Sequence, residues 1–147
     1  MENKVFNFNE QYKKEWRALG FYYEFKDESK IWLVVGSRIG LSNFCSLLNR
    51  YTNNSEKNKL SEHQHLGPHA YLKIVTWNEP ELNESGIYGT LEDIKKLSKL
   101  IFIKLKNCHQ GDIFIIDKEY SFNNKCIFRI VVREDQFDPS TLDNTLV

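Results

Sequence analysis

The chain lacks an excess of charge of either sign, because its 20 lysine and arginine residues balance its 20 aspartate and glutamate residues over 147 positions. Proteins that gain affinity by neutralising nucleic-acid phosphates normally carry a basic excess or patch, so we disfavour a nucleic-acid partner. Apolar stretches such as 31–35 and 100–103 are far shorter than a membrane-spanning helix needs to be. The first residues contain no apolar run typical of a signal peptide, and we expect no membrane association.

Cysteine is scarce as well. Cys45, Cys108 and Cys126 are odd in number and widely spaced, which is typical of neither a disulfide framework nor a Cys-x-x-Cys metal site. This usage favours a reducing, cytoplasmic location. Cys45 falls on the apolar face of a predicted helix, and that position favours a buried, inert thiol over a nucleophile.

Motifs for nucleophilic catalysis are missing too. The sequence has no Gly-x-Ser-x-Gly elbow and no glycine-rich loop of the kind that cradles phosphate. Cys108 and His109 are adjacent, but catalytic Cys and His residues meet through the fold, so adjacency is not evidence. The sequence therefore favours a protein that is not an enzyme, although the histidines described below keep an enzyme open as an alternative.

What the chain does contain is typical of a globular domain spanning residues 1–147, with 41% hydrophobic and 14% aromatic residues. Its apolar residues recur with helical or strand periods. The predicted elements are a short N-terminal helix over 12–19, a hairpin of 21–25 and 31–35, a helix over 41–51, a strand over 70–77, a helix after Thr90, and a second hairpin of 112–117 and 125–133.

These elements predict an α+β fold in a single two-layer domain. We expect a mixed or antiparallel sheet of about five strands with two main helices on one face, in the order ββαβαββ. The second main helix has the clearest signals, since Thr90 and Asp93 have the spacing of a capping box. Its expected buried stripe consists of Ile94, Leu97, Ile101 and Leu105. Residues 135–147 are expected to form a loosely ordered tail.

Three of the four histidines lie between positions 62 and 69. In an extended segment, residues two apart project to the same side, so His63 and His65 could face one ion and His69 could join them after the Gly67-Pro68 turn. Three nitrogens plus water form the pattern of an open zinc site. The other interpretation is a polar turn that contributes to a recognition surface. The favoured interpretation needs no cofactor, and the alternative needs a divalent transition metal such as zinc.

Charge is unevenly distributed although the total is zero. The stretch 76–93 carries five acidic residues and no basic one, whereas 94–111 carries five lysines and no acidic residue. Such segregation is typical of solvated surfaces, but it can also create a sign-complementary face that speeds docking to a charged partner. The candidate partner-binding residues are Glu79, Glu81, Glu84, Tyr88, Lys96, Lys99 and Ile103.

The run EHQHLGPHAYLKIVT at 62–76, followed by GIYGTLED at 86–93, resembles small uncharacterised bacterial α+β proteins. Some proteins of this general appearance are immunity proteins of bacterial toxin systems, which bind and silence a cognate toxin. The resemblance implies a protein partner and places no active-site residue.

Two hypotheses follow from the sequence. The first is a non-enzymatic cytosolic binding protein, an immunity-type inhibitor of a cognate bacterial toxin. The alternative is a metal-dependent enzyme or metal sensor that uses His63, His65 and His69. The first draws on the small size, the uneven charge and the lack of a catalytic motif, and the second draws on the histidines alone.

Overall fold

The fold consists of three α-helices and eight strands, counted over residues 8–69 and 71–146, which the computed structural model describes. In chain order they are α1 (Phe8–Leu19), β1 (Phe21–Lys26), β2 (Ile31–Ser37), α2 (Arg38–Thr52), β3 (His63–Leu66), β4 (Leu72–Thr76), β5 (Glu81–Asn83), β6 (Gly86–Gly89), α3 (Leu91–Lys106), β7 (Ile113–Ile116) and β8 (Ile127–Arg133). Two short 3-10 helices, Ser55–Lys57 and Pro139–Leu142, complete the set.

The strands form two four-stranded sheets of the same plan. The first sheet has the order β1-β2-β8-β7 and the second has the order β3-β4-β6-β5. In each sheet two antiparallel pairs are joined by a central parallel pair, β2 with β8 and β4 with β6. The parallel pairs place apolar residues side by side, such as Val34 beside Ile130 and Ile74 beside Ile87.

The helices supply much of the buried core. The α2 stripe of Leu41, Phe44, Cys45 and Leu48 is buried, as its helical spacing predicts. A glycine at position 40 lets α2 begin against the turn after α1, because a Cβ atom there would lie 1.8 Å from the backbone oxygen of Gly20. Ser98 donates a hydrogen bond of 2.9 Å to the backbone oxygen of Cys45, which joins α3 to α2.

Several predictions from the sequence are confirmed. The α+β class, both predicted hairpins and both main helices are present. The capping box forms, since Thr90 Oγ1 accepts from the Asp93 amide at 3.0 Å and Asp93 Oδ2 accepts from the Thr90 amide at 3.0 Å. The predicted buried stripe of α3 is buried at all four positions: Ile94, Leu97, Ile101 and Leu105.

The expectation of one sheet with about five strands and two helices on one face is wrong in detail. The segments 63–66, 81–83 and 86–89 are strands, and with β4 they form a separate second sheet. These segments are only three or four residues long, and β3 and β5 each bury one apolar side chain, Leu66 and Leu82. A strand this short contains no repeat from which a period can be read. Ala70, at the start of the predicted strand 70–77, lies outside the described residues.

The C-terminal segment also differs from the expected loose tail. Pro139 and Ser140 are buried within the 3-10 helix, and Asp143 follows it in a buried position. Arg17 of α1 forms an ion pair of 2.9 Å with Asp138. Polar residues hold this segment through hydrogen bonds to distant donors, so its composition alone gives no sign of the packing.

Candidate functional site

The structure divides the three clustered histidines between two environments. His63 and His65 are exposed on β3, with ring centroids 5.2 Å apart. His69 lies beyond the turn, where its Nε2 atom is 2.8 Å from Oδ2 of Asp143. Within residues 8–69 and 71–146, no group of three His, Cys, Asp or Glu side chains is arranged to hold a metal ion. The zinc hypothesis for His63, His65 and His69 therefore stays a prediction without support from this geometry.

A glycine directs the chain toward the position of His69. Gly67 has a positive φ of 75°, which side chains disfavour, and a Cβ atom there would lie 2.7 Å from the Tyr23 ring. Tyr23 donates its hydroxyl hydrogen to the backbone oxygen of Leu66 just before this turn. The turn is thereby held against β1.

Asp143 is the centre of a buried hydrogen-bond network, since its side chain is only 5% exposed. Its Oδ2 atom accepts from Trp16 Nε1 at 2.8 Å and from His69 Nε2 at 2.8 Å. Its Oδ1 atom accepts from the amide and the hydroxyl of Thr145, at 3.0 and 2.6 Å. Because an ionised carboxylate only accepts, the His69 tautomer in this contact carries its proton on Nε2. Asp143 thus connects α1, the 67–69 turn and the C-terminal segment.

The charge state of Asp143 follows from two opposing effects. Burial raises the pKa of this carboxyl, while the hydrogen bonds from Thr145, His69 and Trp16 lower it by more and leave the pKa at about 2. Asp143 is therefore a carboxylate at neutral pH, and its negative charge is balanced by donors from three parts of the chain.

Aromatic rings surround His69. Its ring stacks on Tyr71, with centroids 5.4 Å apart and planes 16° apart, and it lies 4.8 Å from the Tyr12 ring and 6.0 Å from the Trp16 ring. Tyr71 is 68% exposed, so this stack extends from the interior to the surface. The imidazole is thus held by the Asp143 carboxylate, by the stacked ring of Tyr71 and by the tilted ring of Tyr12.

A cleft of about 470 Å³ opens beside this stack. Its volume lies within the range of pockets that bind small ligands or inserted side chains. Aromatic side chains dominate the lining, and Glu24, Lys73 and Glu84 are its charged residues beside Asp143. The full aromatic lining is Trp16, Tyr22, Tyr23, Phe25, Trp32, His69 and Tyr71. Such a lining favours binding through stacking and cation–π contacts.

The cysteines give this cleft no nucleophile. All three are buried, free thiols, as expected for Cys45, and none lines the cleft. Burial raises the pKa of Cys45 to about 11 and that of Cys126 to about 12, and it also raises the pKa of Cys108. The thiols therefore stay protonated and unreactive at neutral pH.

The predicted acidic residues occupy several different surroundings. Glu79 is exposed, and Glu81 in β5 lies 3.6 Å from Lys125. Glu84, in the turn between β5 and β6, lines the aromatic cleft. Tyr88 is half-buried, with its ring centroid 6.2 Å from that of Trp77.

The predicted basic residues lie together on the outer side of α3. Lys96 and Lys99 are exposed, and Lys96 pairs with Glu92 at 3.4 Å. Ile103 is 49% exposed and Phe102 is 45% exposed. Sequence reasoning missed Phe102, although its position outside the buried stripe and next to Ile103 was a usable signal. We call the exposed set the α3 face, which consists of Glu92, Lys95, Lys96, Lys99, Phe102, Ile103 and Lys106.

Fold and geometry define the chain as an α+β protein of two mixed sheets, with an aromatic cleft and a basic helix face as its candidate sites. Comparison with protein-family models, curated proteins and solved structures finds no match. Across the part of the chain that the structure describes, no helix is long and apolar enough to cross a membrane.

Proposed function

We propose that this protein is a non-enzymatic binding protein that docks another protein through its α3 face, and that the bound protein is a cognate bacterial toxin which it inhibits. The observation that carries the docking proposal is the exposed pair Phe102 and Ile103, placed among lysines on one side of a helix. Large apolar side chains surrounded by charged ones match the core and rim of a protein interface.

The α3 face suits docking because its helix is rigid before a partner arrives. The Thr90–Asp93 capping box fixes the first turn. Arg38 donates to the backbone oxygen of Cys108, and also to that of Lys106 at 3.5 Å, so a cation lies at the helix C-terminus. A preformed helix loses little conformational freedom on binding, which leaves more of the contact energy for affinity.

The charge of this face specifies the partner's chemistry. Lys95, Lys96, Lys99 and Lys106 outnumber Glu92, so the complementary surface has an acidic rim around an apolar centre. Opposite charges accelerate encounter, while burial of Phe102 and Ile103 supplies affinity. The runs 62–76 and 86–93 resemble small uncharacterised bacterial α+β proteins, and some proteins of this general appearance are immunity proteins, which supports a toxin as the partner.

The proposal is tested by co-expressing the protein with the product of the reading frame beside its gene. We expect rescue of growth arrest and a complex that co-elutes in size-exclusion chromatography. The double charge reversal K96E/K99E and the single change I103D should each weaken the complex by at least about tenfold, since one removes steering and the other buries a charge.

The matched control is K14E/K59E, which makes the same charge change at exposed lysines outside α3. Equal binding by K96E/K99E and K14E/K59E would show that the α3 face is not the interface. A complex that forms without rescuing growth would support the protein-binding role and contradict the inhibitory role.

A further inference from the structure

We propose that the aromatic cleft is a second binding site, which takes an extended peptide segment along the open edge of β1 and holds an arginine side chain of that segment between aromatic rings. This site does not depend on the α3 face, because no residue of α3 lines the cleft.

The cleft runs along a strand edge. Tyr22, Tyr23, Glu24 and Phe25 all line it, although successive side chains of a strand point to opposite faces of the sheet. A groove that borders four consecutive residues of one strand must follow the edge of that strand. β1 is the last strand of its sheet, and no other strand within residues 8–69 and 71–146 pairs with its outer edge. Phe21, Tyr22 and Tyr23 are buried, so the accessible part of this edge is 24–26, and its outward backbone groups are placed for pairing with an added strand.

The second sheet supplies the facing wall. Lys73 lies in β4 and Tyr71 directly precedes that strand, while Glu84 and Ser85 come from the turn between β5 and β6. The Asp143 network fixes the inner end of the groove by holding His69, which in turn stacks on Tyr71. Walls that are ordered before binding reduce the entropic cost of taking up a flexible peptide.

The side chain that fits this groove is cationic and planar. The rings of Phe25, partly buried, and Tyr71, 68% exposed, present π faces that attract a cation, and arginine stacks on such faces better than lysine does. Trp32 is buried and supports Phe25, with ring centroids 5.2 Å apart. Glu84 is the exposed carboxylate available to a bound guanidinium, since Lys26 holds Glu24 at 2.8 Å and donors surround Asp143.

Tryptophan fluorescence reports on this site directly. Trp16 and Trp32 line the cleft, whereas Trp77 does not, so the tryptophan emission of a W77F variant comes only from the two cleft residues. The variant is titrated with capped pentapeptides that have β-branched flanks and a central Arg, Lys, Gln or Glu. We expect saturable change with the Arg peptide, at an affinity about tenfold higher than with the Glu peptide. Methylation of the backbone nitrogens of the Arg peptide should abolish binding, because strand pairing needs those N–H groups.

Two substitutions separate the contribution of the Tyr71 ring to peptide binding from that of the Glu84 carboxylate. Y71A removes the exposed ring and should lower the affinity for the Arg peptide by about tenfold. E84Q should lower that affinity by about fivefold and leave the affinity for the Gln peptide unchanged. Circular dichroism checks that both variants are folded. K96E/K99E is the control that should leave peptide binding intact, so failure of the toxin proposal does not affect this one. Absence of a saturable change with every peptide at millimolar concentration, or equal affinity for the Arg and Glu peptides, would overturn the proposal.

Discussion

His69 and the pair His63 and His65 share one short stretch of sequence but belong to different physical environments. The pair lies exposed on β3, an edge strand of the second sheet. His69 is hydrogen-bonded to a buried carboxylate 74 residues away, stacks on Tyr71 and contacts the tilted ring of Tyr12. The difference shows that identical residues clustered in the sequence need not form one site in the structure. The hydrogen bond to Asp143, which is distant in sequence, makes the His69 imidazole part of the packed fold.

Removing the Asp143 carboxylate, which distinguishes His69 from the exposed pair, should have the largest effect on stability. D143A leaves the indole of Trp16, the His69 ring and Thr145 without their common acceptor in a buried place. Unsatisfied buried donors are costly, so we expect the free energy of unfolding to fall by about 3 kcal/mol, as measured by urea denaturation. D135A, at an exposed aspartate, is the control and should change it by less than about 0.5 kcal/mol. Equal midpoints for the two variants would show that the network is not structural.

Acidification tests the same carboxylate without changing its shape. The pKa of Asp143 is about 2 in the folded protein, below its ordinary value of 3.8, so the unfolded chain binds the proton more readily. Stability from this group is fully present above about pH 4 and is lost as the pH falls through about 2, by about 2 kcal/mol at most. Urea midpoints of the wild type and D143N should therefore converge between pH 4 and pH 2. A constant difference across that range would contradict the assigned pKa.

The histidines themselves provide the direct comparison. H69A removes one donor to Asp143 and the stack with Tyr71, so we expect a loss of about 1–2 kcal/mol of unfolding free energy. H63A/H65A changes two exposed side chains and should cost less than about 0.5 kcal/mol, despite altering twice as many residues. Thermal or urea unfolding of both variants measures the contrast. A larger loss in the double variant would mean that the exposed pair, and not His69, supports the fold.

The sequence predicts some of this molecule well and other parts poorly, for identifiable reasons. The helices α2 and α3 are long enough to repeat their apolar spacing several times, so their buried stripes are readable, although α2 begins at Arg38 and not at the predicted Leu41. The strands β3 and β5 are too short to show a period, and the second sheet was therefore missed. The contact between Trp16 and Asp143 joins residues 127 positions apart, and no local pattern encodes it.

The same limit applies to the candidate sites: a site within one helix is readable from the sequence, and a site formed by distant segments is not. Lys96, Lys99 and Ile103 were found because a helical wheel places them on one side of α3, and the structure exposes them there. The aromatic cleft was not found, because strands of two sheets and a C-terminal turn meet only in the folded chain. The sequence drew attention to His69 and to Glu84 separately. The two residues come to lie beside the same cleft only when β1 and β4 pair with their neighbouring strands.

Metal binding gives the smallest expected effect and the sharpest division between the histidines. Two neighbouring imidazoles on a strand can hold a divalent transition metal only weakly, because a firm zinc site needs further protein ligands. For protein purified without a histidine tag, we expect zinc or nickel to shift the melting temperature by no more than about 2 °C. H63A/H65A should abolish that shift and H69A should leave it unchanged, since His69 Nε2 is engaged by Asp143. A larger shift that H69A also abolishes would show that the three imidazoles converge on one ion, and the contrast between them would then hold only for the metal-free protein.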